Sequence, residues 1–310
     1  MATLRIGTLG TPRMLRSPVD ERRALLARAA DAGLDHLFLA DHVSFFDGRG
    51  MDGLVNAATL LASHPTLHVY VGVYLLALRH PLPVARQIAS LAEAAPGRLS
   101  LGVGVGGEDR HEIEICGVDP ATRGRRTDES LAVLRPLLAG ERVTHRGEFF
   151  AFDDALIRPA PKPAVPITIG GRSSAAVRRA GRHGDGWLGV WCSAKRFGEV
   201  ARETAAIAAA AGRTNADWRH GLQVWTACDP DRGVARARLA AAMEDMYRTP
   251  FARFERYSPA GSAAEIADFL APYAEAGCRE FNVMCIAESD EASIDAVAEV
   301  KRRLVGGALA

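Results

Sequence analysis

Eight short apolar runs recur along this chain, each followed by a helical pattern, and that rhythm limits the folds open to it more than any other feature. The runs are Leu4–Leu9, His36–Ala40, His68–Leu76, Leu99–Val105, Val165–Ile169, Trp187–Val190, Gly221–Ala227 and Glu280–Cys285. None alternates cleanly between apolar and polar residues, which is the pattern of parallel strands covered on both faces. Helical stretches fall between them, at Pro18–Ala32, Asp52–Ser63, Pro81–Ala95, Arg126–Leu138, Ser173–Arg182, Lys195–Ala211 and Ile294–Leu304. Helix punctuation agrees with these bounds, with Gly33 after the first helix, a proline near the start of the third, and Pro96-Gly97 beyond its end. Eight βα units in 310 residues predict an α/β fold, a (β/α)8 TIM barrel forming a single domain over residues 1–310. An open doubly wound sheet is the alternative. Between units four and five, Glu141–Phe152 reads as a hairpin turning at Arg146-Gly147, and a proline-rich stretch follows it. The insertion spans about residues 141–164.

Composition narrows the function classes. The net charge of +1 offers no field for nucleic acid or an acidic membrane surface. No segment approaches the ~18 consecutive apolar residues of a membrane span. Cys116, Cys192, Cys228, Cys278 and Cys285 are odd in number and scattered, with no C-x-x-C. Free thiols in a reducing compartment, and hence a cytoplasmic location, are the expectation. The sequence has no H-E-x-x-H, no His/Cys metal spacing and no G-x-S-x-G, so metal-hydrolase and serine-hydrolase chemistry find no support.

Glycines close two of the strands. Leu99–Gly107 (LSLGVGVGG) and Ile167–Gly171 (ITIGG) both run from β-branched residues into glycine, and Gly184–Trp187 (GDGW) follows. Glycine there lets backbone N–H groups come close to an anion, and a following helix adds its positive end. A phosphate cradle at one end of the sheet is one reading, and strand packing with a tight turn is the other. Gly102, Gly104 and Gly107 formally satisfy G-x-G-x-x-G. A nicotinamide fingerprint, however, belongs to the first βα turn of its unit, and this match follows the fourth strand. After Gly170 and Gly171, Arg172 precedes Ser173 and Ser174, which either cap the next helix or hold a phosphate.

Asp41 and His42 close the second strand, at the mouth where barrel active sites lie. An imidazole there can take or give a proton, while adjacent Asp41 points the other way and is a candidate loop anchor. His80, beside Arg79 and Pro81, either caps a helix or packs. Arg125 and Arg126 open a helix where the dipole disfavours cations, so an acidic partner or ligand is expected nearby. Tyr247, Phe251, Phe254 and Tyr257 either pack an amphipathic helix or line a pocket.

These motifs, in this order, resemble the luciferase-like monooxygenase superfamily, most closely its branch of coenzyme F420-dependent oxidoreductases. The resemblance is carried by FLADH (Phe38–His42), RHP (Arg79–Pro81), GRLSLGVGVGGE (Gly97–Glu108), RGRRTDE (Arg123–Glu129), GEFF (Gly147–Phe150), PAPKPAVPITIGG and GDGW. It implies a deazaflavin at the barrel mouth, with a non-proline cis peptide behind the ring around Val73-Tyr74. It implies Gly106, Gly107, Gly170 and Gly171 at the cofactor phosphate, Asp41 in contact with the cofactor and His42 as proton donor or acceptor. Glu108, one position off a catalytic glutamate of the sugar-phosphate dehydrogenase subgroup, is the second catalytic candidate, as a proton donor, and Phe45-Phe46 replace that subgroup's tryptophan. A sugar phosphate is therefore not the expected substrate. The deazaflavin's glutamate tail would suit Arg172 or Arg49. Hydride transfer with a small-molecule substrate is the expected chemistry, carried out by a homodimer. The alternatives are a monooxygenase taking reduced FMN from a partner flavin reductase, and a non-catalytic flavin-binding barrel.

Overall fold

Parallel strands that are apolar on both faces need two cores, one inside the barrel and one under the helices, and this chain builds both. A computed structural model describes residues 4–107, 109–214 and 217–307. The strands are β1 (Arg5–Leu9), β2 (His36–Leu39), β3 (His68–Leu75), β4 (Leu99–Gly104), β5 (Ile167–Gly170), β6 (Gly186–Val190), β7 (Gly221–Cys228) and β8 (Glu280–Cys285). Neighbours pair in parallel in chain order, and β8 pairs with β1, so the sheet closes into a TIM barrel.

Outside lie α1 (Val19–Asp31), α2 (Gly53–Ser63), α3 (Pro81–Ala94), α4 (Arg123–Leu138), α5 (Ser174–His183), α6 (Ala194–Ala210), α7 (Arg232–Tyr247), α8 (Ala263–Glu275) and α9 (Asp290–Gly307). Their starts follow from local chemistry. Asp52, Ser173, Ser193, Asp231 and Ser262 each accept N–H groups of the first turn. His80 caps α3 through Nδ1 and packs edge-on against Phe150, so both of its expected roles are present. The predicted hairpin pairs Val143–Arg146 with Ala151–Ala155. Glu129 of α4 anchors it, accepting N–H groups of Glu148, Phe149 and Phe150 and bonding His145 at 2.9 Å.

Side chains alternate across each strand. Leu37 and Leu39 face the helices, whereas His36 and Phe38 face the barrel interior. The interior carries a polar layer, with His36 Nε2 2.7 Å from Asn282 Oδ1 and Tyr70 bonded to Thr168. A second, smaller apolar cluster joins Phe38, Leu188, Trp225, Met284 and Val73 to residues of α7 and the segment after it. Among the described residues, no helix is long and apolar enough to cross a membrane and no side-chain group could hold a metal ion.

Candidate functional site at the barrel mouth

Glycines on β4 and β5 make room for a neighbouring strand. The Gly72–Val73 peptide is cis, one bond before the expected Val73-Tyr74 position, and the β3–β4 register shifts between Val71 and Tyr74. Val73 thereby turns inward over β4 and β5. A Cβ on Gly104 would lie 2.3 Å from Val73 Cγ2, and one on Gly170 would lie 2.8 Å from Val73 Cγ1. Packing accounts for a glycine at 170, in line with the second of the two readings of the strand glycines. The Tyr74 side chain is 1% exposed and packs under Arg79, in the layer between strands and helices.

The glycines beyond the strand ends are different. Gly106 and Gly171 have φ of 69° and 118°, in the left-handed region that favours glycine. Arg123 approaches Gly107 from the start of α4, its Nη2 3.8 Å from where a Cβ would stand. Its Nε is buried and has no hydrogen-bond partner among the described residues. Arg172 is exposed and stacks over Trp191 at 5.5 Å. Ser173 serves as the helix cap, with Oγ accepting Ala176 N–H at 3.2 Å. The GDGW motif braces this corner, since Trp187 Nε1 donates to the Gly171 carbonyl at 2.7 Å.

The other candidate cations are already paired. Arg125 meets Glu148 at 2.8 Å, Arg126 donates to the Ala77 carbonyl, and Arg49 meets Asp245 at 2.6 Å. Among the described residues, Arg123 is the member of the RGRR run that turns to the glycine loop, and no local signal in the sequence singles it out. Glu108 lies outside the described residues.

Asp41 is an internal anchor. Its carboxylate accepts Gly53 N–H at 2.9 Å, Leu75 N–H at 2.8 Å, and two bonds from Arg79 at 2.7 and 2.8 Å. The carboxylate is fully engaged within the protein, and the residue is 1% exposed. The geometry fits loop anchoring. Asp41 ties the end of β2 to the end of β3 and the first turn of α2.

His42 opens a short hairpin, His42–Phe45 with Arg49–Met51. Its ring packs on Phe45 at 4.2 Å and its side chain is 29% exposed. Nδ1 lies 2.9 Å from Glu112 Oε2, on a short helix, Arg110–Ile115. The other oxygen, Oε1, accepts Val43 N–H at 2.6 Å and Ser44 N–H at 3.1 Å. Asp109 caps the same helix and accepts Phe46 N–H at 2.6 Å. Burial pushes the Glu112 carboxyl up, but the His42 bond and charge and the two N–H groups outweigh it and hold it below its ordinary value. Glu112 is the residue that sequence reasoning missed. Asp109 and Glu112 have the D-x-x-E spacing of a helix start, which is legible, but nothing local ties position 112 to position 42.

The remaining mouth residues are aromatic. Trp191 packs against Tyr247 at 5.1 Å and Phe254 at 4.7 Å, while Phe251 is buried in the core.

A barrel with a histidine–carboxylate pair and an arginine-flanked glycine loop at its mouth can be compared with known proteins. The family model of luciferase-like monooxygenases matches residues 4–304. The chain belongs to the luciferase-like monooxygenase family. Within it, the chain is 34% identical over 218 residues to an F420-dependent glucose-6-phosphate dehydrogenase of Beutenbergia cavernae, covering 67% of this chain and 64% of that protein. It is 30% identical over 227 residues to an F420-dependent hydroxymycolic acid dehydrogenase of Mycobacterium tuberculosis, covering 70% of this chain and 62% of the relative. The chain thus spans less than two thirds of the length of these curated relatives. Among solved structures, an F420-dependent secondary alcohol dehydrogenase bound to an F420–acetone adduct superposes with a TM-score of 0.81 at 22% identity, covering 97% of this chain and 99% of that one. The tetrahydromethanopterin reductase of Methanopyrus kandleri gives 0.76 at 17% identity, over 99% of each chain. At these identities the structural likeness shows the fold.

Proposed function

We propose that this member of the family is an oxidoreductase that uses coenzyme F420 and transfers a hydride between the deazaflavin and a small hydroxyl- or carbonyl-bearing substrate. The relatives' names support the cofactor and the reaction class. The observation that carries the reading is the His42–Glu112 pair at the barrel mouth, one loop away from Gly106, Gly107 and Arg123.

The residues present fit such a cofactor. A phosphate-bearing tail calls for backbone N–H groups and a cation, and the Gly106-Gly107 turn with the Nε of Arg123, which has no hydrogen-bond partner among the described residues, supplies both. Gly171 and Arg172 would hold it from the β5 side. When bound, the deazaflavin supplies a carbon that accepts or gives up hydride. The chain's own work is to orient and to move a proton. His42, bonded to Glu112 through Nδ1, uses Nε2 to take the hydroxyl proton of an alcohol as it is oxidised, or to return one to a carbonyl as it is reduced. Val73 and the aromatic wall of Trp191, Tyr247 and Phe254 limit water around the reacting carbon. A homodimer and a cytoplasmic location belong to the same proposal, the first resting on the resemblance and the second on the scattered cysteines.

The test is titration of the purified protein with F420 and with FMN in both redox states, followed by tryptophan fluorescence. Tight F420 binding with much weaker FMN binding is expected. His42→Ala should then lower turnover about 100-fold or more while leaving F420 affinity within about 3-fold of wild type. A preference for reduced FMN, or unchanged turnover in the variant, refutes the reading.

A further inference from the structure

The carboxylate of Glu112 is divided between two tasks. Oε1 holds the backbone N–H groups of Val43 and Ser44, at 2.6 and 3.1 Å, and Oε2 faces His42 Nδ1 at 2.9 Å. The residue is 2% exposed, so these bonds are shielded from competing water. An ionised carboxylate only accepts hydrogen bonds, so the imidazole nitrogen facing it carries the proton. Phe45 packs against the ring at 4.2 Å and limits its rotation.

We propose that Glu112 is the positioning residue for His42: it selects the Nδ1–H tautomer and leaves the Nε2 lone pair as the base presented to a hydroxyl-bearing substrate. This rests on the proposed function for its consequence in turnover, but not for its structural content. The assignment deepens the reaction class. An imidazole held through Nδ1–H, with its Nε2 lone pair turned from the carboxylate, is set up to remove a proton from an alcohol as hydride leaves its carbon. The same nitrogen, once protonated, gives that proton back to the carbonyl oxygen in the reverse direction. Glu112 keeps its charge through both steps and stabilises the imidazolium.

Glu112→Gln separates the two tasks. Two backbone N–H groups point at one side-chain oxygen, so the glutamine carbonyl must stay there and its NH2 must replace Oε2. A donor then faces Nδ1, and a neutral His42 has to move its proton to Nε2, which removes the base from the mouth. The loop contacts survive the change.

Long-range ¹H–¹⁵N correlation on ¹⁵N-histidine-labelled protein reads the tautomer without any cofactor. At a pH of about 9, above the ordinary histidine range, the His42 signals, assigned with His42→Gln, should show Nδ1–H in wild type and Nε2–H in Glu112→Gln. A wild-type Nε2–H tautomer, or a variant that keeps Nδ1–H, overturns the proposal. If the variant does not fold, the wild-type spectrum alone decides. Turnover is measured with F420 and a secondary alcohol, 2-propanol or cyclohexanol. The variant should lose about 100-fold in kcat with F420 affinity within about 3-fold of wild type. Undiminished kcat overturns the proposal. Should the wild type fail to bind or reduce F420 while the tautomers behave as described, the F420 reading fails and the positioning role stands.

Discussion

Gly104→Ala tests whether the glycines on the barrel strands serve packing or ligand binding. The new Cβ would lie 2.3 Å from Val73 Cγ2 and 3.1 Å from Val73 Cβ. Carbon pairs rest at about 3.5–4.0 Å, so the contact with Cγ2 is deep in the repulsive wall. Val73 is β-branched and stiff at χ1, so it yields only by moving backbone or leaving its rotamer. Overpacking of this kind costs about 1–3 kcal/mol. Val73→Ala alone removes two half-buried methyl groups and should cost at most about 1.6 kcal/mol, at about 0.8 for each. In the double variant the Cγ2 clash is gone and only the 3.1 Å contact with Cβ remains, which a shift of a few tenths of an ångström relieves. The double variant should therefore be more stable than the sum of the single effects predicts, by about 1–2 kcal/mol. Urea unfolding followed by tryptophan fluorescence measures all four proteins. Additive effects, or a Gly104→Ala protein of wild-type stability that has lost F420 binding, would refute the packing account and return Gly104 to the ligand.

Three other elements lead to measurable outcomes. Asp41→Ala leaves two backbone N–H groups without their acceptor and the Arg79 guanidinium, 18% exposed, with only the Leu75 carbonyl at 3.2 Å and Asp52 at 3.4 Å. It should cost about 3–5 kcal/mol in urea unfolding, and a loss under about 1 kcal/mol would mean that water replaces the carboxylate there. Burial lowers His36 and His220 to about 4, so both stay neutral in the fold while the unfolded chain protonates near 6.5. Between those values the unfolded state binds more protons, so stability is fully present above pH about 7 and falls as pH drops from about 6.5 to 4, by about 3 kcal/mol for each histidine. A flat stability profile across that window would contradict their burial as neutral groups. Glu112 has the opposite chemistry and the same direction: held below its ordinary value, it withdraws stability as the pH falls from its unfolded value through its folded one.

The barrel itself was legible because its signals are local. Apolar runs such as His68–Leu75, the Pro81 helix start, and caps such as Asp52 and Ser173 each act within one turn or strand, and eight repeats of that unit leave few ways to close a sheet. His42 was legible for the same reason, since the end of a strand in such a fold faces the mouth. The tertiary structure decided what those positions do. Gly104 and Gly170 read as cradle or packing residues alike, and the partner they pack against, Val73, is visible only once the barrel closes. Asp41 reads as a loop anchor with no partner named until Arg79, 38 residues away, meets it, and His42 reads as a lone imidazole until Glu112, 70 residues on, takes Nδ1. Local chemistry sets the elements, whereas hydrogen-bond satisfaction and close packing join groups distant in the chain, and only the closed barrel brings those groups within 3 Å.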